Sequence, residues 1–250
     1  MANFFNISGS GLAGKILRAA LRLIPRRSVV PILQGPLKGW RWIKGAGVNG
    51  YWMGTYEKEK QKLFAENVKP GDVVYDIGAH VGFYTLVASK LVGENGFVYA
   101  FEPLPGNVGF IMKHVRMNKC KNTFVVEKAV TDNSGMVHFK YGDSSSTGEI
   151  SADGKGIEVE AVRVDDFSIT NYPPTVMKID VEGEEVKVLT GAEKILAGNS
   201  PVIFLAIHGE NRRVECVKIL KSAGYKITEI VEGELFAVKG GDSQKEHPKL

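Results

Sequence analysis

From residue 73 onward, short apolar and β-branched runs alternate with longer stretches of helical periodicity. Strands are expected at 73–76, 97–101, 123–127, 176–179 and 202–207, and helices at 81–92, 105–117, 184–196 and 212–223. A strand followed by a helix and another strand needs a long crossover, so neighbouring strands run parallel and helices cover both sheet faces. The last two strand-like runs, 226–230 and 235–238, are separated only by Val231-Glu232-Gly233-Glu234. That connection is too short for a crossover and predicts an antiparallel hairpin at the sheet edge. In the middle, two alternating runs at 136–141 and 157–164 flank the polar stretch 142–156, which reads as a hairpin or flap. The expected fold is therefore α/β and Rossmann-like, a mainly parallel sheet with a C-terminal antiparallel hairpin.

Apolar residues at 44% and charged residues at 24% suit one globular core. Two cysteines, Cys120 and Cys216, are too few for a disulfide framework and lack metal-type spacing, which fits a reducing compartment. Lys15, Arg18 and Arg22 interrupt the one long apolar stretch, which falls short of the ~18 residues that cross a bilayer. A cytoplasmic protein is expected.

The net charge of +4 is uneven: residues 1–50 carry eight basic side chains and no acidic one. Over 12–24, Leu12, Ile16, Ala19 and Leu23 share one helical face, with Lys15, Arg18 and Arg22 opposite and Pro25 as a stop. Such a helix packs on its own domain or a second subunit, the favoured reading; the other is peripheral contact of residues 12–27 with an anionic membrane at its inner face. Three segments follow: a basic N-terminal extension with an amphipathic helix and short strands (1–56), a core domain opening on a helix over 57–68 (57–240), and a tail (241–250). No internal repeat is evident, and the oligomeric state is left open.

The first core strand runs into Val74-Tyr75-Asp76-Ile77-Gly78-Ala79-His80-Val81-Gly82. In an open parallel sheet, ligands sit beyond the carboxyl ends of the strands where strand order reverses. A dinucleotide loop requires G-x-G-x-x-G so that the backbone can approach a pyrophosphate. His80 and the spacing of Gly78 and Gly82 depart from that pattern, and Asp76 would repel a phosphate. Glu102, ending the next strand, is placed to receive two ribose hydroxyls. A nucleoside carrying an amino acid instead of phosphates meets both demands, and S-adenosylmethionine is such a molecule. The plainer alternative leaves the glycines to the turn and both acids as solvated strand ends.

A second constellation is Met177-Lys178-Ile179-Asp180-Val181-Glu182-Gly183-Glu184-Glu185. Glu184 and Glu185 are accounted for by the dipole of the helix that starts there. Asp180 and Glu182 fall on the crevice side, as does His208 after the strand over 202–207. Two carboxylates are few for a dedicated divalent-metal site, so none is expected. Asp165 and Asp166 read as a turn-forming pair or as the border of a substrate pocket.

In order, VVYDIGAHVGFYTL, VYAFEPLPGNVGF, KAVTDNSGMVHF, VDDF, MKIDVEGEEVKVLTGAEKIL and IFLAIHG resemble the FkbM family of S-adenosylmethionine-dependent methyltransferases, and GYWMGTYEKE resembles its lead-in segment. The resemblance covers roughly residues 47–210. It implies a seven-stranded class I methyltransferase fold, S-adenosylmethionine as cofactor, and O-methylation of a sugar, glycan, glycolipid or natural-product hydroxyl. By position it makes Asp76, Gly78, His80 and Gly82 the cofactor loop, Glu102 the ribose anchor and Ala129 and Val130 part of the adenine wall; Asp180 and Glu182 belong to the reaction mouth. Members commonly carry an acid two residues before His208, where this chain has Ala206. A hydroxyl acceptor benefits from a base, and His208 is the candidate, with Asp180 orienting it or the substrate. Two alternatives stand beside this reading. An RNA methyltransferase would use the basic first 50 residues on phosphates, although the slightly acidic core makes nucleic acid unfavourable; a non-catalytic cofactor-binding module would account for Ala206.

The glycine turn generates a prediction measurable by calorimetry: the protein binds S-adenosylmethionine or its demethylated product. Measurable NAD affinity with neither of these would overturn the reading.

Overall fold

A computed structural model describes residues 24–141, 148–151 and 154–240. Residues 12–23 of the expected amphipathic helix, the tip of the expected flap and the tail 241–250 lie outside the described residues. Strands β1 (Val29–Pro31) and β2 (Arg41–Ile43) pair antiparallel, with Val30 opposite Trp42, and helices α1 (Asn49–Met53) and α2 (Lys58–Asn67) follow. The regular alternation then begins: β3 (Val73–Ile77), α3 (Phe83–Val92), β4 (Phe97–Phe101), α4 (Pro105–Met117) and β5 (Thr123–Val126). The interruption consists of β6 (Ala129–Val130), β7 (Gly135–Tyr141), β8 (Gly148–Ile150) and β9 (Ile157–Val162), and α5 (Val164–Thr170) leads out of it. The second half contains β10 (Val176–Ile179), α6 (Glu185–Thr190), α7 (Glu193–Gly198), β11 (Val202–Ala206), α8 (Glu210–Ser222), β12 (Tyr225–Val231) and β13 (Glu234–Lys239).

Seven strands form one sheet in the order β12-β13-β11-β10-β3-β4-β5. All neighbours are parallel except β13, which runs antiparallel to both β11 and β12. This is a class I methyltransferase fold with the expected C-terminal hairpin. Strand order reverses between β3 and β10, so the loops after Ile77 and Ile179 form the two lips of a ligand crevice. The interrupting strands form a separate sheet ordered β6-β9-β7-β8, in which β7 and β9 run antiparallel from Gly135↔Ala161 to Phe139↔Ile157.

Every residue of β3 and β10 is buried, as central parallel strands require. On one sheet face, Tyr75, Ile77, Met177 and Ile179 pack with Val188, Leu189 and Leu220. On the other, Val74, Phe83, Leu86 and Phe204 share a cluster with Trp42, Tyr51 and Trp52. Residues 24–56 thus contribute to the principal core. Trp42 is fully buried and stacks on His114 at 3.9 Å. Nδ1 of His114 lies 2.9 Å from the Val81 carbonyl, and its Nε2 accepts the Ile43 N–H at 3.1 Å. Burial pushes the His114 pKa down to about 4, so the ring is neutral, donating from Nδ1 and accepting at Nε2.

Two local expectations need correction. The helix expected over 184–196 is two helices, because the chain bends at Gly191, where an added Cβ would lie 2.3 Å from the Thr131 carbonyl oxygen. Asp165 and Asp166 sit in the first turn of α5 instead of on a turn. The buried Asp165 carboxylate accepts the Lys194 and Ile195 N–H groups, both at 3.1 Å, and so satisfies the start of α7. Neither acid lines the cavity described below.

Because Trp42 fills the shared core, Trp42→Ala is expected to cost about 3–5 kcal/mol. Urea unfolding should remain a single transition followed at both aromatic and backbone signals, since this cluster joins residues 24–56 to the sheet.

Candidate active site

The crevice begins with a loop no side chain can enter. Gly78 has φ +74°, and a Cβ on it would lie 1.9 Å from the Asp180 carbonyl oxygen, so the two lips touch there. Gly82, at φ +90°, starts α3. Between them His80 adopts φ +53°, which turns its N–H onto Glu102 Oε2 at 2.8 Å. Glu102 Oε1 accepts the Leu104 N–H at 3.0 Å and the Asn107 amide at 3.1 Å. Burial raises the Glu102 pKa to about 7 even though these donors favour the carboxylate.

Beneath the loop lies a network of buried charge. Register pairs Lys178 with Asp76 across β10 and β3. Lys178 Nζ donates to the Gly78 carbonyl at 2.9 Å and stands 3.4 Å from Asp76 and 3.6 Å from Asp180. The remaining Asp76 oxygen accepts the Thr85 hydroxyl at 2.6 Å. Burial alone would lower the Lys178 pKa, but Asp76 and Asp180 reverse that and hold it above the usual lysine value. Burial likewise opposes ionisation of Asp180, yet Lys178 and then Lys60 hold its carboxyl below the usual range. The ammonium beside Asp76 is therefore the protein's own.

A cavity of about 220 Å³ opens above these residues. Of the sequence-derived candidates, Gly78, His80, Glu102, Ala129, Val130, Asp180 and Glu182 line it; Asp76, Gly82 and His208 do not. Phe101, Leu104 and Ile150 add apolar wall, and Tyr51, Tyr56 and Phe83 form an aromatic side. Tyr51 stacks on Phe83 with ring centres 5.0 Å apart, and its hydroxyl lies 3.3 Å from His80 Nδ1. Burial pushes the Tyr51 phenol up to about 12 and lowers the His80 pKa, so the phenol donates to a neutral imidazole.

His208 stands at the rim, half-exposed. Its Nδ1 is 2.7 Å from Glu185 Oε1, and its Nε2 lies 3.8 Å from Asp180 and 3.7 Å from Glu182. The hydrogen bond to Glu185 raises the His208 pKa above 6.5 against the effect of partial burial. Glu185 is fully buried and also accepts the Gly183 N–H at 2.9 Å. Its assignment to the helix dipole alone was thus incomplete. The signal for its role lies in spacing: Glu185, Val188 and Leu189 are all buried, and i, i+3, i+4 is the pattern of an inward helical face. Lys178 and the tyrosines of 51 and 56 also escaped sequence assignment to the cavity.

This donor set suits an adenosyl amino acid. Glu102 offers an acceptor for hydroxyls, and Ala129, Val130 and Leu104 offer an apolar wall. Among the described residues no group of three or more His, Cys, Asp or Glu is arranged to hold a metal ion, and no helix is long and apolar enough to cross a membrane.

Comparison with known proteins points the same way. The methyltransferase FkbM domain matches residues 76–227. The hexuronic acid methyltransferase AglP of Haloferax volcanii is 24% identical over 189 residues, covering 73% of this chain and 76% of that protein. A shorter match, 42% identical over 64 residues, links 24% of this chain to 29% of the ribosomal RNA large subunit methyltransferase E of Neisseria meningitidis. The crystal structure of methyltransferase FkbM from Methylobacillus flagellatus KT superposes with a TM-score of 0.53 at 18% identity over 67% of this chain. The chain spans 43% of that protein's length, and the likeness shows the shared fold.

The buried charge network makes a prediction for unfolding in urea. Lys178→Met leaves Asp76 in the core without its cation and is expected to cost about 3–5 kcal/mol. The double change Lys178→Met with Asp76→Asn should recover part of that loss.

Proposed function

This chain belongs to the FkbM methyltransferase family and is an S-adenosylmethionine-dependent methyltransferase, and we propose that its acceptor is a hydroxyl group of a sugar, glycan or related natural product. The observation that carries the proposal is the Glu185–His208 pair, whose free nitrogen faces the rim between Asp180 and Glu182. A neutral sugar hydroxyl is a poor nucleophile, and a positioned base of suitable pKa removes its proton as the new bond forms. Glu185 fixes Nδ1 of His208 as the hydrogen-bonded side, leaving Nε2 to take that proton. Partial exposure of His208 then gives the proton a route to solvent.

When bound, S-adenosylmethionine supplies an electrophilic methyl group on a sulfonium, which becomes a thioether on transfer. Glu102 would hold the ribose hydroxyls, Ala129 and Val130 the base, and Gly78 and His80 the loop beside the amino-acid portion. Asp180 and Glu182 would orient the acceptor, since paired carboxylates accept hydrogen bonds from adjacent hydroxyls. Alignment of donor and acceptor with exclusion of water is the rest of the task, and the tyrosines of 51 and 56 with the flap around Ile150 serve it. Ala206 leaves no acid on β11 itself; in this assignment Glu185 supplies one to His208 from α6.

The sugar reading draws support from AglP, whose substrate class is a hexuronic acid. The RNA reading rests on a match over 64 residues. It is disfavoured by the short span of that match and by Asp180, Glu182 and Glu184, which outnumber Lys128 and Lys178 on the cavity lining.

Transfer of labelled methyl groups to polyhydroxyl acceptors tests the reaction. His208→Ala is expected to lower kcat by about 10²–10⁴-fold while S-adenosylmethionine binding persists. Neutral imidazole is the active form, so kcat/KM should fall as pH drops through the raised His208 pKa, on the alkaline side of 6.5. Glu185→Gln removes the largest raising influence and should move that limb to lower pH. Full turnover by His208→Ala at every pH would sink the assignment, and cofactor binding without transfer to any hydroxyl would favour a non-catalytic module.

A further inference from the structure

Tyr56 is held at the cavity by a constrained piece of backbone. The next residue, Glu57, adopts φ +41° at the N-cap of α2. A left-handed residue other than glycine persists only where its surroundings over-determine it, and here they do. The Glu57 carboxylate accepts the Tyr84 hydroxyl at 3.0 Å and lies 3.3 Å from the buried Lys60 ammonium. Before it, the Thr55 and Tyr56 N–H groups both donate to the Gly50 carbonyl, at 2.9 and 3.3 Å, and the Gln61 amide donates to the Tyr56 carbonyl. The turn is thereby fixed. The Tyr56 ring stands across those of Tyr51 and Phe83, with centres 4.5 and 5.8 Å away and planes at 63° and 78°.

These rings differ from Tyr84 in what they face. The Lys60 and Lys178 ammoniums stand over the Tyr84 ring, 5.3 and 5.8 Å from its centre. Among the described residues no lysine or arginine stands over Tyr51 or Tyr56. Both nevertheless line the cavity, with the Tyr51 hydroxyl on His80 of the cofactor loop and both phenols within the field of Asp180 at the reaction mouth. Burial first, then Tyr51 and Glu57, hold the Tyr56 phenol above its ordinary pKa, so the ring is neutral. The negative face of such a ring attracts a cation, most strongly where water is excluded.

We propose that Tyr56, held by Tyr51 and Phe83, recognises the sulfonium of S-adenosylmethionine as a cation, so that the site discriminates the charged donor from its neutral product.

The inference rests on S-adenosylmethionine as methyl donor and concerns which part of it is read. As the methyl group leaves for the acceptor oxygen, the electron pair of the S–CH3 bond stays on sulfur, and the sulfonium becomes a neutral thioether. Ribose, base and amino-acid groups are common to donor and product, so Glu102, Ala129 and Val130 hold both alike. Discrimination has to come from groups that read charge. Of these, Asp180 is already engaged by Lys178 at 3.6 Å, whereas the two tyrosine rings are engaged by no cation of the described protein. The product is then held less tightly than the donor and leaves.

Calorimetry on the full chain with S-adenosylmethionine, S-adenosylhomocysteine and sinefungin, in which an amine-bearing carbon replaces the methylsulfonium, tests the proposal. The two cations should bind the native protein more tightly than the neutral product. Tyr56→Leu is expected to weaken S-adenosylmethionine by about 3–30-fold while S-adenosylhomocysteine changes by less than about twofold, and Tyr56→Phe should keep most of the preference. A merely structural role would move both ligands together. Should Tyr56→Leu fail to fold, Tyr56→Phe and its 3,5-difluoro form keep the ring's shape and differ in its negative face, and donor affinity should fall from the first to the second. Equal loss for both ligands, no loss for either, or native protein that binds the product as tightly as the donor would each overturn the proposal. Binding of neither nucleoside would remove the donor reading itself, and this inference with it.

Discussion

The ammonium of Lys178 holds the crevice together. It ties Asp76 at the end of β3, Asp180 at the end of β10 and the carbonyl of Gly78, which are the two lips of the switch point. Removing a lysine and two carboxylates from water is expensive, and such groups stay charged only when each satisfies the others. The arrangement fixes the distance between the lips. That closeness dictates glycine at 78, because the Asp180 carbonyl occupies the space of a side chain. The same closeness turns the loop outward, where the His80 N–H orients Glu102.

The architecture was legible because each level of the sequence agreed with the others. Strands at 97–101 and 176–179 and the helix at 105–117 coincide with the observed elements, since their apolar periods match one buried environment each. The short link between β12 and β13 identified the hairpin for a geometric reason. What escaped was set by distant contacts. The bend at Gly191 follows from Thr131, some sixty residues earlier in the chain. Asp165 resembled a turn residue because its partners are backbone groups of another helix. Residues 24–56 carry no regular period, yet Trp42 and Tyr51 join the principal core.

The site was legible in outline and incomplete in detail. The glycine turn with Glu102 indicated the cofactor because the chemistry of a nucleoside leaves few alternatives at that sheet edge. Asp76 was assigned to the ligand by its place in the motif, whereas its partners are Thr85 and Lys178. Glu185 lay within a run of acids where the helix dipole was already a sufficient account, and only its place on the buried stripe distinguishes it from Glu184. A buried acid behind a rim histidine gives the mouth of the cavity a basic nitrogen held in one orientation.

His114 has a consequence for how the molecule is assembled in time. It joins β2, through the Ile43 N–H, to the Val81 carbonyl in the cofactor loop, and its partner in β2 precedes it by 71 residues. The ribbon of β1 and β2 leaves the ribosome well before α4, and closing so long a span carries an entropic cost that local helices do not. The cofactor loop therefore gains this support only when chain from both ends of this interval has met.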